Sequence, residues 1–436
     1  MKLSTKRTLS LVLGISLILF LATGSTVVLA EEEVMVPLKE IKPSCYGEID
    51  MTKAEFALSE VGEECVTEEW LKENQQEDKS SDRVEKADYP GLAEGLNLIS
   101  EKPAEGFHWP YFVYIPYGYF DSNGGTTSET NNILIESVNT GTSSDSYAEH
   151  KRAAKRIASR HDIGSSLNTP VLVPTYPRPR SGMRGWRYYT HALDRNTLNI
   201  GDENDELYRI DEQLIAMADY LLSALAENHE VRLENEFFLY GFSASGNFAN
   251  RFAILHPDRV AAVAAGGLNG MPLIPKKSAE GKAGREVNLL YPIGLWDISD
   301  LVGTSTDLEA VKETPQFLFM GGEDHNDTLG YGDAFGDTER DRILEFFGTC
   351  IINPPDNPDF RDPGGKYYDD VCDDEYSKEM INRFELAKDT YEAQDLPAKF
   401  VIYEGAGHTP QQAYSDVISF FGEDYEDVDE TKLVWR

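Results

Sequence analysis

The sequence predicts an α/β protein with a mostly parallel central sheet, helices on both faces of that sheet, and a small N-terminal appendage. From about residue 91 onward, short apolar segments alternate with segments of helical periodicity. The apolar segments are continuous rather than alternating, which is typical of strands that are buried on both faces. One of them, at 237–240, runs directly into a turn of small residues and then a helix. Strands that alternate with helices in this way indicate a parallel sheet.

The first thirty residues are predicted to be a secretory signal peptide. A basic start at 2–7 is followed by an apolar run from Leu9 to Ala22 and by a small-residue cleavage site at 28–30. The alternative is an uncleaved N-terminal anchor, because no charge falls between Thr8 and Ala30. We favour cleavage and therefore expect a secreted, extracellular protein with no stable membrane span after the leader is removed.

The chain is strongly acidic. Its 436 residues carry a formal net charge of −36, and removing the leader, which holds only basic charges, makes this value more negative. Proteins that bind nucleic acid need clustered lysine and arginine against the phosphate backbone, so nucleic acid is an unsuitable partner. Acidity at this level keeps an exported protein soluble.

Four cysteines are present, at Cys45, Cys65, Cys350 and Cys372. Four cysteines allow three pairings, and the sequence does not choose among them. Pairing of neighbours is the simplest, because each couple encloses a polar segment with little core of its own. A metal site is disfavoured because no two cysteines have the C-x-x-C spacing. No phosphate-binding glycine loop follows the first strands, so we predict neither a metal nor a cofactor.

The chain divides into the leader at 1–30, an N-terminal appendage with an acidic linker at 31–90, and a catalytic domain at 91–436. In the appendage, Thr52 to Glu55 forms a capping box that predicts a short helix. Asn74 to Lys86 is polar and lacks periodicity, which indicates a linker. Two insertions interrupt the domain at about 176–204 and 330–393, and both follow strands, so they can border a site.

The elements of the domain follow from periodicity. Helices are predicted at 148–160, 207–225, 247–255, near 376–391 and at 411–421, and strands at 111–116, 133–138, 171–174, 237–240, 260–265, 316–320 and 399–403.

Ser243 occupies the turn between the strand at 237–240 and the helix that follows. A strand, a turn of the form small-x-Ser-x-small and a helix make up a nucleophile elbow, which raises a serine hydroxyl above the sheet. Gly241 and Ser245 flank Ser243 where bulk would block the tight backbone approach. On its own this short motif also fits an ordinary strand–helix connection. The presence of an acid and a histidine farther along the chain decides between the two interpretations.

An acid and a histidine follow Ser243 in the order that this chemistry requires. The strand at 316–320 ends in Gly-Gly-Glu-Asp324, and the strand at 399–403 ends in Glu-Gly-Ala-Gly-His408. All three groups come just past the ends of buried strands, which predicts Ser243 as nucleophile, Asp324 as acid and His408 as base. Other candidates stay open: Asp327 and Glu323, more remotely Asp297 and Asp300, for the acid, and His325 for the base.

The negative oxygen of the reaction intermediate needs fixed N–H donors. The backbone N–H of Ala244, directly after the nucleophile, is the expected first donor. The second is expected from the loop after the strand at 133–138, with Thr140 or Gly141 as the choice. The candidates for the wall of a substrate pocket are Phe242, Trp186, Tyr189 and His191, although aromatic residues in loops as often pack within the loop.

The motifs at 241–246, 321–324 and 405–408 resemble the elbow, acid and histidine motifs of the α/β-hydrolase superfamily. The chain is similar there to secreted esterases and polyhydroxybutyrate-depolymerase-like serine hydrolases, over about 111–421. The resemblance implies the α/β-hydrolase fold and the same three site residues. The chain departs from the family in the second oxyanion loop and in its large insertions.

These observations together predict a secreted serine hydrolase that cleaves a carboxylic ester, small or polymeric, through an acyl-enzyme. Because the base must be neutral, the rate is expected to rise with pH as imidazole loses its proton. Two alternatives stay open: a serine peptidase of the same fold, and a non-catalytic extracellular binding protein on a hydrolase scaffold.

Overall fold

The computed structural model describes residues 91–139, 144–160, 162–179, 188–268, 270–281, 284–324, 326, 376–422 and 433–436, with short elements at 35–37, 55–57, 85–86, 338–339 and 342–343. The chain forms two compact units that divide between Asp78 and Lys79, within the segment predicted as a linker. The leader and all four cysteines lie outside the described residues.

In the first unit, the strand Met35–Pro37 pairs antiparallel with the strand Glu55–Ala57. The helix predicted from the capping box at Thr52 is therefore wrong. A capping box is a local signal for a helix start, and here the backbone of the residues after it is paired with a distant strand instead.

The second unit is built on a ten-stranded sheet. Along the sheet the order is β12-β11-β10-β7-β6-β4-β5-β3-β2-β1, and every neighbouring pair is parallel except β2–β3 and β3–β5. A separate antiparallel hairpin joins β8 to β9. The strands are β1 (Glu85–Lys86), β2 (Gly95–Ile99), β3 (Tyr111–Ile115), β4 (Leu134–Glu136), β5 (Val171–Pro174), β6 (Phe237–Phe242), β7 (Val260–Gly266), β8 (Ser278–Glu280), β9 (Glu286–Asn288), β10 (Gln316–Gly321), β11 (Ala398–Tyr403) and β12 (Leu433–Trp435).

Helices connect these strands. Single 3₁₀ turns at Thr190–Ala192, Pro257–Arg259 and Gln411–Ala413 link several of them. The helices are α1 (Tyr147–Arg160), α2 (Asp162–Ser166), α3 (Arg195–Leu198), α4 (Ile210–His229), α5 (Ala244–Leu255), α6 (Ile298–Val302), α7 (Leu308–Glu313), α8 (Tyr376–Glu392) and α9 (Tyr414–Gly422). Within the described part of the chain, no helix is long and apolar enough to cross a membrane.

The sheet has a hydrophobic core on each face. On one face, α4, α5 and α8 pack against alternate strand residues such as Leu239 and Leu318. On the other, α1, α2 and α9 pack against the intervening residues, such as Phe238 and Phe317. Because each central strand is buried on both sides, its sequence must be continuously apolar. This confirms the predicted fold class and explains why the apolar runs located the central strands.

Candidate active site

Ser243 lies in the turn between β6 and α5. Its backbone has φ 65° and ψ −126°, a conformation that a residue with a Cβ rarely adopts. The turn is held from both sides: the Ser243 N–H donates to Gly266 O at 2.8 Å, and the Asn247 N–H donates to Ser243 O at 3.0 Å. The surrounding structure thus maintains a strained residue at the position predicted for the nucleophile.

Two neighbours of Ser243 close this turn. A Cβ on Gly241 would lie 2.0 Å from Ser245 O, so only glycine permits the approach of strand and helix. The Ser245 hydroxyl donates to Phe242 O at 2.8 Å and accepts from the Phe242 N–H at 3.0 Å. Ser245 is therefore more than a small residue, because its side chain fastens the two ends of the turn together.

Asp324 and His408 form a hydrogen-bonded pair. The distance from His408 Nδ1 to Asp324 Oδ2 is 2.8 Å, and the other carboxylate oxygen accepts from the Asn326 N–H at 2.9 Å. Asp324 is completely buried, whereas a quarter of the His408 side chain is exposed. Since a carboxylate only accepts, we place the ring proton on Nδ1, which leaves the lone pair on Nε2.

Backbone contacts keep the acid and histidine loops together. The Gly322 N–H donates to Tyr403 O and the Glu323 N–H donates to Ala406 O, both at 2.8 Å. A Cβ on Gly321 would lie 2.3 Å from Ala406 O, so a larger residue at the end of β10 would push the histidine loop away. Gly321 thus sets how closely the acid loop and the histidine loop approach each other.

The imidazole of His408 packs beside the residue that precedes Ser243. Its ring centroid lies 4.7 Å from that of Phe242. A Cβ added to Gly267, just after β7, would lie 3.1 Å from His408 Cε1. The structure therefore brings the Asp324–His408 pair to the edge of the sheet where the Ser243 turn also lies.

The first expected oxyanion donor, the N–H of Ala244, lies at the start of α5, where backbone N–H groups have no partner within the helix. It donates to Asn139 Oδ1 at 3.2 Å. Asn139 is the last described residue before the predicted second donors, and both Thr140 and Gly141 lie outside the described residues.

Three of the predicted pocket residues are described, and Trp186 lies outside the described part of the chain. Phe242 is 8% exposed and contacts Phe319 as well as His408. Tyr189 is buried, and the Arg178 guanidinium stacks 3.5 Å from its ring centroid. The side chain of Phe242 thus contacts the Asp324–His408 pair.

His191, the fourth pocket candidate, is buried against backbone. Its Nε2 lies 3.1 Å from Tyr176 O, and its ring meets that of His150 edge-on at 5.6 Å. Burial, followed by the neighbouring His150, lowers the pKa of His191 to about 3. The ring is therefore neutral near pH 7 and carries a single N–H, which we place on Nε2 facing the carbonyl.

The other candidate acids are placed as follows. Glu323 and Asp300 are exposed. Asp297 forms an ion pair with Arg195 at 2.5 Å and accepts a hydrogen bond from the Tyr291 N–H at 3.0 Å. The charge of its carboxylate is therefore already balanced by Arg195. Asp327 and His325 lie outside the described residues.

One group of side chains among the described residues has metal-ligand types at close range, namely Asp211, Glu212 and His256. Arg209 already binds both carboxylates, at 2.7 Å from Asp211 and 2.8 Å from Glu212. Burial opposes ionisation of Asp211, but hydrogen bonds from His256 and Arg209 prevail and lower its pKa to about 2. The guanidinium thus supplies the positive charge that a cation would bring.

Two side chains in the site escaped the sequence-based prediction. Asn139 belongs to the loop that was expected to supply the second oxyanion donor, but Thr140 or Gly141 was chosen there, and the contact of Asn139 with Ala244 joins residues 105 positions apart. The two hydrogen bonds between the Ser245 hydroxyl and the Phe242 backbone were also missed. A serine in place of the usual second glycine of the motif was a signal that a hydroxyl is used there.

No protein-family model matches this sequence, and no curated protein matches it. The chain is similar to solved structures of hydrolases. Poly(aspartic acid) hydrolase-1 from Sphingomonas sp. KT-1 is 16% identical with a TM-score of 0.43, over 76% of this chain and 100% of that one. LpqC, a poly(3-hydroxybutyrate) depolymerase from Bordetella parapertussis, is 14% identical with a TM-score of 0.40, over 78% and 94%. An S-formylglutathione hydrolase from Agrobacterium tumefaciens is 11% identical with a TM-score of 0.37, over 78% and 97%.

The fold is identified from the strand order and the Ser243 turn. The parallel strands β5, β4, β6, β7, β10 and β11 form the centre of the sheet. The serine turn follows β6, and the acid and histidine loops follow β10 and β11. A sheet of this order, covered by helices on both faces and carrying a serine on a sharp strand-to-helix turn, is the α/β-hydrolase fold, and this chain has that fold.

Proposed function

We propose that this protein is a serine hydrolase that cleaves a carboxylic ester through an acyl-enzyme. The observation that carries the proposal is the 2.8 Å hydrogen bond between His408 Nδ1 and Asp324, at the edge of the sheet that carries Ser243 on a strained turn. A base fixed by an acid, beside a serine held in an exceptional backbone conformation, is the arrangement that nucleophilic catalysis needs.

In the proposed reaction, Ser243 Oγ attacks the ester carbonyl carbon while His408 Nε2 takes the hydroxyl proton. The Asp324 carboxylate holds the Nδ1 proton and stabilises the positive ring that forms. The proton then passes from Nε2 to the alkoxide leaving group as the carbon–oxygen bond breaks. Water, deprotonated by the same nitrogen, attacks the acyl-enzyme, and the acid product leaves as Ser243 recovers its proton.

The test of the proposal is covalent labelling. A fluorophosphonate probe is expected to label the purified full-length protein, and peptide mapping is expected to place the label on Ser243. Ser243→Ala should abolish both labelling and hydrolysis of a p-nitrophenyl ester.

The matched control is Ser223→Ala, because Ser223 is an exposed serine on α4, far in sequence from the turn. It should label and turn over like the wild type. Ser245→Ala is less suitable as a control, since its hydroxyl closes the turn. An unlabelled wild type would favour the non-catalytic binding protein, and a label on another serine would refute Ser243 as the nucleophile.

The ester specificity is taken from the family resemblance. Comparing hydrolysis of p-nitrophenyl esters with that of peptide p-nitroanilides tests it. Faster ester cleavage supports an esterase, whereas comparable or faster amide cleavage indicates the peptidase alternative.

We also propose that the protein is exported. The basic start, apolar run and small-residue site at 1–30 support a cleaved leader. The N-terminal residue of the protein recovered from the culture medium tests this: it should be Glu31, and a membrane-bound protein that begins at Met1 would indicate an anchor.

A further inference from the structure

The N–H of Ala244 already has an acceptor in this structure. It donates to the side-chain oxygen of Asn139 at 3.2 Å. Only the oxygen of the carboxamide can accept this bond, so the orientation of the Asn139 side chain is determined by the donor. An uncharged oxygen of the protein therefore lies against the group that the negative oxygen of an intermediate would need.

The fold brings Asn139 to this position. It follows β4 by three residues, and β4 pairs parallel with β6 so that Glu136 lies opposite Tyr240. Because parallel strands end at the same edge, the chain leaves β4 beside the turn that carries Ser243. Asn139 is partly exposed, whereas Ala244 is buried, so the contact lies between the core and the accessible edge of the site.

The main chain around Asn139 is anchored by buried rings. The backbone of Asn139 lies against His191, whose ring contacts that of His150. The Nε2 of His150 lies 2.8 Å from Ser144 O, and the Ser144 N–H donates to Arg178 O at 3.2 Å. The backbone is thus fixed on both sides of 140–143, while the carboxamide of an asparagine turns about a torsion with broad preferences.

On the basis of the proposed function, we propose that Asn139 is a catalytic residue that supplies the second oxyanion donor. In the free enzyme its Oδ1 accepts the Ala244 N–H. When the ester carbonyl enters, the carboxamide turns, so that Nδ2 and the Ala244 N–H both donate to the substrate oxygen. This assigns to Asn139 the role that the sequence predicted for Thr140 or Gly141.

The exchange favours the transition state over bound substrate. The bond between Asn139 and Ala244 is lost whenever the carbonyl enters, whether or not reaction follows. The two new bonds strengthen as the oxygen becomes negative, because hydrogen bonds to charged acceptors are roughly twice as strong as those between neutral groups. The benefit is therefore expected in kcat more than in KM.

The experiment compares Asn139→Ala and Asn139→Asp with the wild type, using p-nitrophenyl butyrate as substrate. Loss of one oxyanion donor typically reduces the rate by about 10²–10³-fold, so kcat/KM of Asn139→Ala should fall by this factor with little change in KM. Asn139→Asp preserves the size of the side chain but adds a negative charge, and it should lose more. Asn235→Ala, an exposed asparagine before β6, is the matched control and should retain the wild-type rate.

A second measurement separates contact with the oxyanion from a general loss of structure. A trifluoromethyl ketone forms a tetrahedral adduct with a reactive serine and leaves a negative oxygen in the same place. Its Ki should rise in Asn139→Ala by the factor by which kcat/KM falls. A Ki that stays at the wild-type value while the rate falls would refute the direct contact.

The remaining outcomes are equally decisive. A kcat/KM of Asn139→Ala at or above the wild-type value would mean that the side chain only blocks the Ala244 N–H, and it would overturn the proposal. Failure of the proposed function looks different, because the wild type itself would then carry no fluorophosphonate label on Ser243. If Asn139→Ala unfolds, the isosteric Asn139→Asp supplies both readouts.

Discussion

The hydrogen bond between His408 Nδ1 and Asp324 decides which ring nitrogen is available to act as the proposed base. With the proton held on Nδ1 by a buried carboxylate, Nε2 is left able to take a proton from a hydroxyl. The 4.7 Å contact with the Phe242 ring fixes the imidazole from another direction. Two constraints of different kinds therefore define one orientation of a single side chain.

At this scale we predict that Asp324→Asn lowers kcat for ester hydrolysis by about 10⁴-fold, because an amide facing Nδ1 allows the ring to carry its proton on Nε2 instead. KM should change little. The measurement is kcat on p-nitrophenyl butyrate, with near-UV circular dichroism to verify folding.

Asp327→Asn is the matched control for this prediction, since Asp327 is the nearest alternative aspartate in the sequence. It should stay within a few-fold of the wild type. The opposite result, with Asp327→Asn inactive and Asp324→Asn active, would transfer the role of the acid to Asp327.

At the scale of elements, the sequence predicts strands best where burial on both faces makes them continuously apolar. The central strands are continuously apolar and were located to within a few residues. The strand β2 was missed because it contains Asn97, a buried polar residue whose amide donates to Ala93 O at 2.8 Å and Val113 O at 3.4 Å. The contact of Asn139 with Ala244 was missed for another reason, since no local sequence pattern encodes a contact between residues 105 positions apart.

The helix α8 belongs to the second predicted insertion and is bound to the loop after β7. Its Tyr391 hydroxyl donates to Leu273 O at 3.0 Å and accepts from Asn250 Nδ2 at 3.2 Å. Its Arg383 Nε donates to Gly270 O at 2.7 Å. This loop begins at Gly267, which lies against Phe242 and His408. The helix α8 therefore supports the loop that packs against these two side chains.

We predict that Tyr391→Phe lowers the free energy of unfolding by about 1–3 kcal/mol, because it leaves Leu273 O and the Asn250 amide without their buried partner. Urea denaturation measures the change. The control is Tyr117→Phe, at a tyrosine that is 75% exposed, where a change within about 0.5 kcal/mol is expected. Equal effects at the two positions would contradict the bracing role.

At the scale of the whole molecule, buried ionisable groups make stability depend on pH. Burial, and next the neighbouring His150, lowers the pKa of His191 from 6.5 to about 3. Between these values the unfolded chain binds a proton that the folded chain does not. The stability from a neutral His191 is therefore complete above about pH 6.5 and is lost as the pH falls toward 3.

We predict that His191→Asn makes the slope of the unfolding free energy against pH less positive between pH 6 and 4.5. One proton taken up on unfolding contributes a slope of at most about 1.4 kcal/mol per pH unit, and the variant lacks it. Asp211, with its pKa lowered to about 2, loses its contribution only below this window. Urea denaturation at several pH values tests the prediction, and parallel curves for variant and wild type would refute it.

Asp324 and His408, the proposed acid and base, follow the adjacent strands β10 and β11, which are joined by six residue pairs from Gln316 with Ala398 to Gly321 with Tyr403. The separation of the two side chains is consequently set by the hydrogen bonds between the two strands and the loops that follow them, and not by the length of the segment that connects the strands. Changes of length between Asn326 and α8 are therefore expected to leave the spacing of the pair intact, as long as the ladder forms and α8 keeps its contacts with the loop after β7. Sequence changes between Asn326 and α8 can thus accumulate without disturbing the Asp324–His408 pair.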